Sequence, residues 1–339
     1  MNISLTTTQV ALARHHTYML LSRLYLEGLT EELLPYAQAL PSLAATLPDS
    51  FEADEAAADY QSLFGFNLFP YESIFLDPSG LLGGTMTERV ANDYRQAGFA
   101  VRDGESADHI GNELAFLGFL SGAEADAWED NLVGIALRMR HMARDFLQTH
   151  LLRWLPPFII ALQRQPHAFY ARLADLTLDV VTTHLSAPAN DLMEMMLPPF
   201  SDNIPPIKPT IPSFLPSPPT LLTDENTSLK DIASYLISPP ISGIYLARDD
   251  IVQLGRQQRL PRGFGKRQQI LTNLLRVASQ YDEWPTLLSS LQEQLEAWRA
   301  AYINYHLTHP HLAPFADVWL TRATRTCDVL EEMRRASGK

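Results

Sequence analysis

The sequence predicts an all-α protein built in two parts. Apolar residues recur at three- and four-residue intervals through segment after segment, the spacing of a buried helix face. The strict alternation of a half-buried strand is not found in the first half. Nine prolines crowd residues Pro198 to Pro219. Proline fixes φ and removes a backbone donor, so that stretch predicts an extended, semi-stiff connector. The expected division is a helical domain over residues 1–197, a proline-rich linker over 198–219, and a second, smaller helical module over 220–339. A chain of 339 residues is already past the size at which one core usually keeps growing.

Taken in order, Thr6 to Glu27 predicts a helix capped by Thr6, Thr7 or Thr8 and closed by Gly28, with Val10, Ala13, Leu20, Leu21, Leu24 and Tyr25 on one stripe. His15 and His16 point about 100° apart and cannot readily share a ligand. Glu31 to Leu40 is a short helix. Asp49 or Ser50 can cap the next one, Phe51 to Phe64, whose acidic start suits the positive end of the helix dipole. Tyr60, Leu63 and Phe64 fall on one face of it. Asn67 to Gly84 predicts a loop punctuated by Asp77-Pro78-Ser79-Gly80 and Gly83-Gly84, in which Glu72 would need a buried arginine such as Arg89 or Arg95. Thr85 to Ala97 is helical. Ala123 to Trp154 is one or two helices, stopped by Pro156-Pro157. Phe158 to Gln163 is a brief apolar segment, and His167 to Leu185 forms another helix. Beyond the prolines, helices are expected over Ser228–Leu236, Ile244–Gln258, Gln268–Tyr281, Leu287–Tyr305 and Phe315–Ala336.

The most informative stretch is Gly104-Glu105-Ser106-Ala107-Asp108-His109-Ile110-Gly111-Asn112-Glu113-Leu114. Ser106 or Asp108 can cap a helix there. Ile110, Leu114 and Leu117 then form its inward stripe, so Glu105, Asp108, His109 and Glu113 gather near its first turn. With Tyr60-Gln61-Ser62-Leu63-Phe64, the stretch resembles the two signature motifs of the TorD/DmsD/NarJ family of molybdoenzyme maturation chaperones: an aromatic-x-x-Leu-Phe, then Glu, a spacer and Pro-x-Asp-His. The family proline is missing, Ser106 and Ala107 preceding Asp108. Further collinear likenesses are Pro70 to Asp77, Tyr94-Arg95, and Phe146-Leu147-x-x-His150-Leu151-x-x-Trp154-x-Pro156, so that the resemblance runs from about Thr6 to Leu185.

The resemblance implies a TorD-like helical bundle with an appended C-terminal module, acting as a cytoplasmic chaperone. Its partners would be the apo-form of a molybdopterin-dependent catalytic subunit and that subunit's N-terminal twin-arginine signal peptide, with cofactor insertion assisted and export delayed. It implies peptide-binding roles for Tyr60, Leu63, Phe64, Glu72, Glu105, Asp108, His109 and Glu113, and a monomer or a homodimer. Carboxylates beside apolar surface suit two guanidiniums beside an apolar segment, and His109 could tune the contact near neutral pH.

Composition narrows the alternatives. Net charge of −13 argues against general nucleic-acid binding and suits a cationic partner. No apolar run reaches membrane-spanning length, so no stable membrane insertion is expected, and Met1 to Thr6 lacks the features of a secretory signal. Cys327, the single cysteine, leaves no intramolecular disulfide and no cysteine-rich metal site. The run containing Arg256, Arg259, Arg262, Lys266, Arg267 and Arg276 reverses the sign of the chain locally. Arg259, Arg262, Lys266 and Arg267, at a loop opening a helix, form a candidate anion site, and the family resemblance adds a guanine nucleotide or molybdopterin guanine dinucleotide as the ligand to consider. No resident cofactor, metal or catalytic residue is otherwise expected. The competing readings are a metal-binding helical enzyme using His109 and Glu113 with His141, His150 or His167, and a plain helical scaffold whose C-terminal module binds an anion or nucleotide.

Overall fold

The computed structural model describes residues 6–186, 227–260 and 265–337. The expected proline-rich connector and Arg262 lie outside the described residues. Among the described residues no strand forms, and the architecture is all-α. One isolated antiparallel bridge joins Tyr71 to His109.

Helix α1 (Thr7–Glu27) starts at Thr6, whose hydroxyl accepts from the Gln9 N–H while the Gln9 side chain reaches back to the Thr6 N–H. It lies tightly along α7 (Ile110–Glu129). A Cβ on Gly111 would stand 2.5 Å from Leu26 Cγ and 3.0 Å from the Ser22 carbonyl, so the two backbones can approach only where α7 carries no side chain. A buried charge cluster fixes the same helices to α8 (Val133–Phe146): Glu124 accepts from Arg14 at 3.2 Å and from Arg140 at 2.7 Å. Between α1 and α7 in sequence come α2 (Leu34–Ala39), α3 (Pro41–Ala44), α4 (Ala53–Tyr60), α5 (Glu72–Leu76) and α6 (Thr85–Ala97). The start of α4 differs from expectation, with Glu52 at the N-cap and no side-chain cap bond. A π-turn, Gln61–Asn67, continues α4, and the stretch expected to be loop throughout contains α5, four of whose five residues are buried.

The expected stop at Pro156-Pro157 is not observed. Helix α8 passes through a second π-turn, Leu147–Leu151, into α9 (Leu152–Gln163), which carries both prolines in its interior. α10 (Ala168–Ser186) follows. The explanation lies at the other end of the chain, in helices α11 (Leu229–Ile237), α12 (Pro239–Ser242), α13 (Arg248–Gln257), α14 (Arg267–Gln280), α15 (Trp284–Thr308) and α16 (Ala313–Ser337). Pro157 has no N–H to give the Arg153 carbonyl, and the indole Nε1–H of Trp319 on α16 donates to it at 3.0 Å. The expected helix over Ile244–Gln258 begins late, because Ile244 to Ala247 run as a buried segment before α13.

These C-terminal helices pack on the first segment through one continuous apolar cluster that includes Phe75, Trp154, Tyr245, Trp298 and Trp319. Arg164 after α9 lays its guanidinium over the Trp298 ring at 5.4 Å. Trp319→Phe keeps an aromatic ring and removes only the donor to Arg153. It should lower unfolding stability by roughly 1–2 kcal/mol in urea titrations, the cost of an unpaired carbonyl at a helix break.

Candidate functional site

The first turn of α7 is capped by His109, not by Ser106 or Asp108. His109 Nδ1 accepts from the Gly111 N–H at 3.0 Å, so that nitrogen carries no proton. Asp108 instead serves the neighbouring helix. Its carboxylate accepts from the Ser73 N–H at 3.0 Å and from the Ser106 hydroxyl, and its carbonyl accepts from the Glu72 N–H at 2.9 Å. It therefore satisfies the free amides at the start of α5 with an anion on the positive end of the dipole. The Tyr71–His109 bridge continues the seam, with the two rings edge to face at 4.9 Å.

Inward from this seam the acids meet. Asp108 and Glu113 are 0% exposed and Glu72 is 1% exposed. The expected arginine partner of Glu72 is replaced by His150 from the π-turn after α8. Its Nδ1 lies 2.9 Å from Glu72 Oε2, and its Nε2 lies 3.1 Å from Asp93 Oδ2 on α6. Burial works against the charged imidazole, but the bonds to Asp93 and Glu72 outweigh it and push its pKa up to about 9. Glu113 lies next along the row. Burial, then the charges of Glu72 and Asp108, hold its pKa well above the usual carboxylate range. Neither of its oxygens has a hydrogen bond within normal geometry, and Glu72 Oε1 and Trp154 Nε1 lack partners as well. A protonated Glu113 removes a second negative charge from beside Glu72 and Asp108. His109 goes the other way: burial lowers its pKa to about 4 against the pull of Asp108, so it stays neutral and does not titrate near neutral pH as expected.

Leu63 and Phe64 are buried, Phe64 lying edge to face with Tyr170 at 5.3 Å. They pack the core beneath the seam. Tyr60 remains half-buried, and its hydroxyl donates to the carbonyls of Tyr25 and Leu26 at the end of α1. Burial raises its pKa to about 12, with Tyr71 and Glu105 adding to the effect; burial and the charges of Asp108 and Glu105 likewise raise Tyr71. Tyr60, Tyr71 and Glu105 are thus electrostatic neighbours, each partly open to solvent. Of the expected peptide-contacting residues, Tyr60 and Glu105 present the most surface; Glu72, Asp108 and Glu113 do not reach it.

Several residues holding this seam carry no sequence signal. Tyr245, in the extended stretch before α13, donates its hydroxyl to the Asn67 carbonyl at 2.9 Å and accepts from the Phe69 N–H at 3.2 Å. Its ring stacks on Phe75 at 5.3 Å. Asn67 also exchanges side-chain bonds with Asp249. Arg267, expected in an anion site, is committed here: its guanidinium covers Tyr245 at 4.4 Å and donates to the Leu246 carbonyl. Arg259 and Lys266 are exposed. Among the described residues no group of three or more His, Cys, Asp and Glu is arranged to hold a metal ion.

Two consequences can be measured. His150 and Glu113 both hold protons in the folded state that the unfolded chain releases at lower pH. Their stabilisation is complete below the unfolded pKa values, about 6.5 and about 4.3, and is lost as pH rises, for His150 through about 9. Thermal melts should therefore show a falling Tm on the alkaline side. Glu113→Gln, a neutral isostere, should match wild type near pH 4 and exceed it near pH 8. Asp108→Ala removes the anchor of α5 and should cost roughly 1–2 kcal/mol in denaturant unfolding.

The nitrate reductase delta subunit family profile matches residues 30–159, which contain the whole seam from Tyr60 to Trp154. The chaperone protein TorD of Vibrio parahaemolyticus is 30% identical over 164 residues, covering 45% of this chain and 75% of that protein. TorD of Vibrio vulnificus is 32% identical over 145 residues, 40% of this chain and 66% of the relative. TorD of Vibrio cholerae serotype O1 is 30% identical over 156 residues, 43% and 68% of the two chains. No described helix is long and apolar enough to cross a membrane. With the signature residues assembled into one seam and a relative matched over three-quarters of its length, the chain belongs to the TorD/DmsD/NarJ family of molybdoenzyme maturation chaperones.

Proposed function

We propose that this protein is a cytoplasmic chaperone that binds the signal peptide and the apo-form of a molybdopterin-dependent oxidoreductase, favouring cofactor insertion before export and acting by binding without catalysis. The observation that carries this reading is the half-buried strip of Tyr60, Tyr71 and Glu105, held over a fully buried network. A twin-arginine leader offers guanidiniums beside apolar side chains. Tyrosine faces take up both guanidinium and aliphatic surface, and a partly desolvated carboxylate gives a charge-assisted bond. Asp108, Glu113, Glu72 and His109 support that strip from below, because their burial removes them from direct contact. A rigid strip loses little freedom on binding, which favours affinity.

Glu105→Gln should weaken binding of a labelled twin-arginine peptide roughly three- to tenfold, about 0.7–1.4 kcal/mol, and flatten its dependence on salt. Fluorescence anisotropy on the intact chain measures both. A molybdoenzyme precursor should also co-purify with the tagged chain from its native cytoplasm. Wild-type affinity in both Glu105→Gln and Tyr71→Ala would sink the assignment of this strip.

A further inference from the structure

Stretches of the first segment recur, in the same order, in the C-terminal helices. Pro70-Tyr71-Glu72-Ser73-Ile74-Phe75-Leu76 is matched by Pro240-Ile241-Ser242-Gly243-Ile244-Tyr245-Leu246, with proline, isoleucine, an aromatic and leucine in register. Val90 to Phe99 is matched by Ile251 to Leu260, which share Arg-Gln at Arg95-Gln96 and Arg256-Gln257. Leu155-Pro156-Pro157-Phe158 is matched by Leu312-Ala313-Pro314-Phe315, downstream of His-Leu pairs at His150-Leu151 and His306-Leu307.

Local geometry follows the same register. Helices α6 and α13 close alike: Gly98 and Arg259 take positive φ, 75° and 55°, at the turn. The next residues, Phe99 and Leu260, donate their N–H groups back to the carbonyls of Tyr94 and Gly255 at 2.8 and 2.9 Å. Helices α7 and α14 open at His109 and Lys266, and the buried Leu114 and Leu117 lie as far beyond the first cap as the buried Leu271 and Leu274 beyond the second.

Equivalent parts then meet each other. Phe75 stacks on Tyr245 at 5.3 Å, α5 packs on α12, and α9 packs on α16. Away from that line, contacts come in reciprocal pairs. Asn67 bonds Asp249, and Ser238 donates to the Pro78 carbonyl at 3.4 Å, positions that exchange to within one residue when the two copies are swapped. Elements that pack on their own equivalents, flanked by reciprocal contacts, are what a two-fold axis produces between like units. The second copy has nevertheless lost the row of ionisable groups. Ser242, Leu254 and Ile270 stand in place of Glu72, Asp93 and Glu113, and His306, the counterpart of His150, pairs with Asp317 at the surface. Ile241 stands in place of Tyr71.

We infer that residues 240–315 are a diverged second copy of residues 70–158, docked on the first about a pseudo-two-fold axis. The face of α5 and α9 is thus an interface for its own kind, filled within one chain. The functional consequence, which rests on the chaperone reading above, is a single client peptide per chain: the second copy is a built-in partner that binds none.

Two measurements on the full chain test this. In a Cys327→Ser background, spin labels on Gln96→Cys with Asn304→Cys, and on Gln148→Cys with Gln257→Cys, form reciprocal pairs at exposed positions. A two-fold axis makes the two separations equivalent, so pulsed electron resonance should give coinciding distances. Clearly different distances overturn the paired arrangement, whatever the peptide does. Isothermal titration with a twin-arginine peptide should give one site per chain, weakened by Glu105→Gln. Two sites of like affinity would overturn the assignment of the second copy as silent. If no peptide binds while the distances coincide, the chaperone reading fails and the pairing within the chain stands.

Discussion

Four ionisable side chains, Glu113, Glu72, His150 and Asp93, form a row through the interior of the first segment, and the buried charge in that row must be balanced for the interior to hold. Two carboxylates, Glu72 and Glu113, are shut away from solvent. An isolated buried charge costs several kcal/mol even after relaxation, so two unpaired ones would be prohibitive. The structure meets the constraint by pairing one with an imidazolium and keeping the other protonated. Asp93, itself half exposed, ties the row to the surface. Each member comes from a different element: α7, α5, the π-turn after α8, and α6. The row therefore fixes the mutual positions of four elements, which apolar packing alone would leave free to slide.

The half-buried strip follows from this arrangement. Because Glu72 is anchored, α5 sits at a set height, and Asp108 can close its first turn while His109 opens α7. The bridge between Tyr71 and His109 forms where those two starts meet. Tyr245 then reaches from the C-terminal segment to hold Asn67 and Phe69, immediately before Tyr71. The residues outside the family profile thus buttress the region inside it. The same division of labour appears at α9, where Trp319 supplies the donor that Pro157 lacks. In both places a polar group from the last third of the chain completes a backbone bond that the first segment leaves open.

Helix faces were legible in the sequence because their period is local. Thr6, Gly28 and the Tyr60–Leu63–Phe64 face behave as their spacing predicts. What escaped was decided by distant partners. A Pro-Pro pair reads as a stop unless one knows that Trp319, more than 150 positions away, lies against the Arg153 carbonyl. Asp108 has the composition of a cap for its own helix, but the free amides nearest to it belong to α5. Glu72 was expected to seek an arginine, whereas the cation folded beside it is His150, whose charge depends on the same pairing that hides it.

This places the acids of the chain in two functional classes that sequence cannot separate. Carboxylates sunk in the core act on geometry alone, since at 0–1% exposure they are neutralised or paired and project little field outward. Those left at the surface, including Glu105, Glu52, Glu55 and Asp59, act on whatever approaches, and the net charge of −13 adds a long-range attraction for cationic segments that salt weakens. A motif acid such as Asp108 can therefore be indispensable without ever touching a ligand: removing it loosens α5, and with α5 the tyrosine that faces solvent. Separating the two effects requires affinity and stability to be measured on the same variants, because a buried acid changes both whereas an exposed one changes binding alone.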